Sequence, residues 1–167
     1  AALIPSTEPF TTAGFVHAGG GGGEAVAPSL LQVTGAGAPV DWVLIELRNA
    51  SDPTIIQATY SAIVTRSGSI VAGSGAPVRI PVLNGNYYVT VRHRNHFGVM
   101  TAQSVALGAS STTIDFTIAG TQTWGSSATK TIGSTMVLWS GNAFRNTNLK
   151  YVGQDNDRDP ILAAVGG

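Results

Sequence analysis

The chain has 167 residues, 43% hydrophobic and 11% charged, with nine Lys and Arg balancing nine Asp and Glu and no Cys. That length suffices for one domain with a real apolar core, and the lack of cysteine excludes disulfides, thiolate zinc sites and Cys nucleophiles. Charged residues make up ~25% of an ordinary soluble domain, so Ser, Thr, Asn and Gly must coat this surface. Zero net charge also lacks the basic field that nucleic-acid backbones require. No run approaches the ~18 apolar residues of a membrane-spanning helix, and Ala1 does not open a charged-then-apolar leader, so the chain reads as mature and soluble.

Val, Ile, Thr and aromatics dominate, and turn residues recur about every eight to twelve positions, the cadence of an all-β sandwich or barrel. The expected fold is an antiparallel β-sandwich, Ig-like or jelly-roll-like, with an extended amino-terminal arm and a short carboxy-terminal helix. Three units are expected: an arm and glycine tether over 1–23, a β-sandwich domain over 24–139, and an Asn/Asp-rich loop with a helix over 140–167.

Residues 1–18 carry two prolines and scattered apolar side chains, and they run into five successive glycines at 19–23. The glycines read as a flexible tether. The segment before them reads either as an edge strand or as an arm that adds to a neighbouring copy through Leu3, Ile4, Phe10, Phe15 and Val16. A short strand is expected over 30–34. Residues 40–48 follow, with Trp42 and Leu44 on one face and Val43, Ile45 and Leu47 on the other, which places this strand mid-sheet. Trp42 and one face of the Tyr87/Tyr88 pair should be buried. Residues 55–65 form a strand with Ile56, Ala58, Tyr60, Ala62 and Val64 on one face and a mostly polar opposite face.

After a short strand over 69–71, Asn84-Gly85 lies between apolar runs at 78–83 and 86–97. This is the pattern of a type I′ hairpin, whose central residues need positive φ. Further strands are expected near 101–106, over 112–118, where Ile114, Phe116 and Ile118 alternate with polar residues, and over 136–139. In the tail, Asp159 as N-cap and Pro160 as first helical residue start a short helix.

Arg92-His93-Arg94-Asn95-His96 is the densest polar cluster. As one continuous strand it would place Arg92, Arg94 and His96 on one face, a candidate binding strip, and His93 with Asn95 on the other. The histidines would then point apart and share no metal. Nucleophile elbows, P-loops and dinucleotide fingerprints do not occur, strand parity separates Asp41 from Glu46, and the chain reads as a non-enzyme. Asp155, Asp157 and Asp159 alternate along the chain and repel one another unless a cation or donors offset them. With Asn142 and Asn146 as neutral oxygen donors they form a candidate calcium site, although Pro160 and Gly166 stand where an EF-hand needs Gly and Glu. Asn49-Ala50-Ser51 matches a glycosylation sequon, a triplet common by chance.

Several stretches together resemble a β domain from the carboxy-terminal region of large secreted and surface proteins of Bacteroidota associated with type IX secretion. The matching text is residues 40–48, Gly85-Asn86-Tyr87-Tyr88-Val89, Arg92-His93-Arg94-Asn95-His96-Phe97-Gly98-Val99-Met100 and Asn156-Asp157-Arg158-Asp159-Pro160-Ile161-Leu162, with Phe10-Thr11-Thr12-Ala13 as a weaker opening. The resemblance implies an extracellular, non-catalytic module followed by a dockerin-like Asp/Asn tail suited to calcium. The chain departs from that pattern where Asn142 and Asn146 replace aspartates and Phe144 replaces an oxygen donor. No sorting domain is recognisable before Gly167, so the chain is expected to be a processed product or a unit cut from a longer protein. The expected function is a self-assembling structural subunit of a surface filament or layer, its partners being copies of itself. The alternative is an adhesin or glycan-binding module using Trp124, Trp139, Tyr87, Tyr88 or the strip at Arg92, Arg94 and His96.

Overall fold

The computed structural model describes residues 4–144, 146 and 148–165. The strands are β1 (Pro39–Asn49), β2 (Ile56–Thr65), β3 (Ile70–Val71), β4 (Gly85–His93), β5 (His96–Met100), β6 (Val105–Leu107), β7 (Thr129–Ile132) and β8 (Thr135–Leu138); one helix, α1 (Arg158–Val165), follows. They make a six-stranded sheet in the order β3-β2-β1-β4-β5, with β6 also on β4, and a two-stranded β7-β8 sheet; every pairing is antiparallel. Among the described residues the protein is mostly β with a single short carboxy-terminal α-helix.

β1 is central, as its two apolar faces require. Tyr60 lies opposite Ile45 on one side, and Val91 lies opposite it on the other. Val43, Ile45 and Leu47 join Ala58, Ala62, Tyr87, Val89, Val91 and Val99 in one buried cluster, roofed by Val78, Ile80, Val82, Ile114 and Phe116 from the connecting segments and by Leu138 of β8. On the opposite face, Trp42, Leu44 and Ile63 form a second cluster with Phe10, Val26 and Leu30. Trp42 is fully buried and Tyr87 nearly so, as expected.

The second cluster corrects the reading of the amino-terminal segment. Phe10 is fully buried, Ile4 and Phe15 pack against the same cluster, and the Trp42 indole N–H donates to the Pro5 carbonyl at 2.9 Å. The segment is also hydrogen-bonded within its own chain, through Glu8 N–H to Glu24 O and Val26 N–H to Ser6 O, both 2.9 Å. It therefore lies over its own sheet, where an apolar ring on a chain this close to Trp42 and Ile63 finds burial. Of the five anchors named for an arm, Ile4, Phe10 and Phe15 are packed this way, Val16 is 68% exposed, and Leu3 lies outside the described residues.

The glycine run is a fitted strap rather than a loose tether. A Cβ at Gly21 would stand 2.3 Å from the Thr59 carbonyl oxygen, and one at Gly19 would stand 2.8 Å from Ala58 Cβ. Thr59 N–H donates to Ala18 O at 2.9 Å. At Gly19 and Gly21 the strap thus runs against β2 so closely that only glycine fits, and the polar face of β2 is covered: Thr59 and Ser61 are buried.

Other expectations fail for local reasons. Residues 30–34 hold a 3₁₀ turn, Leu30–Gln32, which buries only Leu30, because β2 and β4 already flank β1. No hairpin forms at Asn84-Gly85: Pro81 removes a ladder donor from 78–83, that run stays irregular, and Gly85 simply begins β4 without positive φ. Residues 112–118 are not a strand either. Asp115 Oδ1 accepts the Thr117 amide at 2.8 Å and its hydroxyl at 2.6 Å, which turns the chain, so Ile114 and Phe116 reach the core while Ile118 stays exposed. β7 falls on Thr129–Ile132, where the sequence signals no strand. At α1, the cap is Asn156, whose Oδ1 accepts the Asp159 amide at 3.0 Å, and Asp159 sits in the first turn.

Candidate functional site

The polar cluster at 92–96 is not one strand. β4 ends at His93, Arg94 and Asn95 turn, and β5 starts at His96, so His93 and His96 are opposite each other across a tight hairpin. The expectation that the two histidines point apart is overturned. Their rings stand edge to face with centroids 4.5 Å apart, and their Nδ1 atoms are 2.9 Å apart. Asn95 Oδ1 is also 2.9 Å from His96 Nδ1.

Asp41, near the start of β1, organises this group. Its carboxylate accepts from His93 Nε2 at 3.1 Å and from the Arg94 guanidinium at 3.0 Å, and the Trp42 amide donates to it at 2.8 Å. Burial works against its charge, but His93, the Trp42 amide and Arg94 outweigh that and hold its pKa down to about 2. The His96 pKa is lowered, first by burial and then by the neighbouring His93. A carboxylate only accepts, so the His93 proton resides on Nε2 and its Nδ1 presents a lone pair toward His96. Sequence reasoning missed Asp41 as a partner because it lies 52 residues upstream of His93, and only the β1–β4 register brings the two together.

The strip expected at Arg92, Arg94 and His96 divides three ways. Arg92 turns to Glu46 Oε1 at 3.2 Å and stacks over the Phe15 ring, its carbon 4.9 Å from the centroid. Arg94 is on Asp41, and His96 is on His93 and Asn95. Glu46 is buried and also accepts from Arg48 at 2.6 and 2.9 Å, so two guanidiniums close over one carboxylate beneath the amino-terminal segment.

In the tail, Asp155, Asp157 and Asp159 do not converge. Asp157 is buried, and its two oxygens accept the backbone amides of Phe144 and Lys150, each at 3.0 Å. Asp159 takes Asn156 at 2.8 Å and Arg158 at 2.8 Å. Asp155 is exposed, with φ of 56°. Asn142 Nδ2 donates to the Asn146 carbonyl at 3.1 Å, and its buried Oδ1 has no hydrogen-bond partner among the described residues. Among the described residues, no three His, Cys, Asp or Glu side chains group as metal ligands would.

Of the aromatics, Trp124 is 48% exposed and meets Tyr88 edge to face at 5.4 Å. Trp139 has Lys130 over its ring at 5.1 Å, and Tyr87 belongs to the core. Among the described residues no helix is long and apolar enough to cross a membrane. No family model matches the chain, and neither a curated protein nor a solved structure does so.

Proposed function

We propose that the chain is a non-catalytic structural module of the cell exterior, a β building block of a filament or layer whose partners are further copies of itself. The main sheet and the β7–β8 hairpin are read here as an open sandwich. The observation that carries the proposal is Phe10: a fully buried anchor on a segment that joins the sheet domain through a glycine strap. Because that segment pairs within its own chain, copies join by exchange, with one copy's Phe10 seated against Trp42, Leu44 and Ile63 of the next. Exchange preserves the contacts and is driven by concentration. The low charge and the Ser- and Thr-rich surface suit close packing of copies, and the resemblance to Bacteroidota surface domains supports an extracellular place.

The test is to refold the purified protein at high concentration and follow its size by light scattering and negative-stain microscopy. Linear polymers that disappear in Phe10→Ala support the proposal; a monomer at every concentration defeats it. A second reading, a glycan-binding module, is favoured by the exposed Trp124 against Tyr88, an apolar ring face of the kind sugars stack on. Retention on a glycan array that Trp124→Ala abolishes would establish it.

Calcium, which the resemblance implies, would be held in the tail with the unpartnered Asn142 Oδ1 and the neighbouring Asn146 carbonyl among its oxygen donors. A ligand bound only to the folded state must raise its melting temperature. Chelation is therefore expected to lower that temperature, and an unmoved melt removes calcium from the proposal.

A further inference from the structure

We propose that the mouth of the β4–β5 hairpin is a transition-metal site, with His93 Nδ1 and His96 Nδ1 as ligands and Asn95 Oδ1 beside them. Three donors sit within one small volume at the turn: the two nitrogens 2.9 Å apart, and the amide oxygen 2.9 Å from the second nitrogen. Without metal, a proton on His96 Nδ1 bridges the gap, and the Asn95 amide shares the His93 lone pair at 3.3 Å. A metal ion replaces that proton.

His93 is arranged as metal-bound histidines usually are. Its other nitrogen donates to a carboxylate, Asp41, which fixes the tautomer and orients the ring. The Arg94 charge, which would repel a cation, is paired with the same carboxylate. The His93 side chain is only 10% exposed, whereas Asn95 is exposed, so an ion enters from the Asn95 side.

The spacing also lets one ion reach both nitrogens. Two nitrogens 2.9 Å apart, each ~2.0–2.1 Å from a metal, subtend about 90° at it. That matches the cis angle of a tetragonal centre, the geometry of Cu²⁺ and Ni²⁺. Two imidazoles and an amide oxygen leave the remaining positions to water or a small exchangeable ligand.

The chain has three histidines and no cysteine, which makes the test clean. Untagged protein is titrated with Cu²⁺ and, separately, Ni²⁺, following uptake by calorimetry and the Cu²⁺ centre by electron paramagnetic resonance. Expected are one ion per chain and hyperfine splitting from two nitrogens. His96→Gln should weaken binding at least tenfold, and Asp41→Asn by roughly 10–100-fold, while His17→Gln leaves it unchanged. Circular dichroism checks that each variant folds. If His96→Gln does not fold, the spectrum of the unsubstituted protein decides. No stoichiometric uptake, binding that survives His96→Gln in folded protein, or a spectrum without two imidazole nitrogens overturns the proposal.

Discussion

Truncating Phe10 to Ala removes a fully buried ring from its edge-to-face contact with Phe15 at 5.1 Å and from the Trp42 cluster. The expected cost is about 3–5 kcal/mol, measurable as a lower urea midpoint. Glu8 adds a pH dependence to the same segment. Burial opposes its charge, but the Thr11 hydroxyl and the amides of Gly23, Thr11 and Phe10 more than compensate, so its pKa lies below that of an ordinary glutamate. A depressed folded pKa contributes stability above the unfolded value, and that stability is lost as acid protonates the carboxylate. The unfolding free energy should therefore fall from roughly pH 5 downward, and Glu8→Gln should flatten that slope in acid titrations followed by fluorescence. Ser61 runs the other way. Its hydroxyl is fully buried without a partner among the described residues, so Ser61→Ala should be neutral or stabilising by up to about 1 kcal/mol. Burial of Trp42 and Tyr87 was legible from strand parity. The Asp41–His93–His96 chain was not, because its members come from three strands, β1, β4 and β5, and the turn between the last two carries no glycine.

Among the elements, the strap makes the sharpest prediction. Gly21→Ala forces a methyl to within 2.3 Å of the Thr59 carbonyl oxygen and must lift the strap off β2, whereas Gly20→Ala meets nothing within 4 Å and strains only a backbone at φ +87°. The second change is expected to cost about 1 kcal/mol and the first clearly more, compared by thermal melting of the two variants. Five glycines in a row suggest slackness, and composition alone cannot tell slackness from close fit; the neighbouring β2 backbone decides. β1 and β2 were legible because their alternation is long and both partners of β1 are needed to cover it. Residues 78–83 and 112–118 misled because turn chemistry at Pro81 and Asp115 overrides an apolar rhythm only a few residues long. Ile80, Val82, Ile114 and Phe116 still pack on the core without entering a ladder.

At the scale of the whole molecule, the sandwich class of the sequence reading resolves to antiparallel sheets with irregular segments as covers, and connecting segments supply much of that cover because β6, β7 and β8 are short. Both chain ends serve the central sheet. The amino-terminal segment shields one face, while the carboxy-terminal third runs along β5, through Phe97 N–H to Trp139 O at 2.7 Å, Trp124 N–H to Met100 O at 2.8 Å and Gly141 N–H to Asn95 O at 3.0 Å. Removing α1, which buries no residue, should leave melting nearly unchanged. Cutting back past residue 123 would strip β5 of these partners and leave it ready to zip onto any other open ladder. The molecule is thus expected to be unequally tolerant of trimming: loss of its last turn costs little, whereas loss of everything past Thr123 bares an open strand edge.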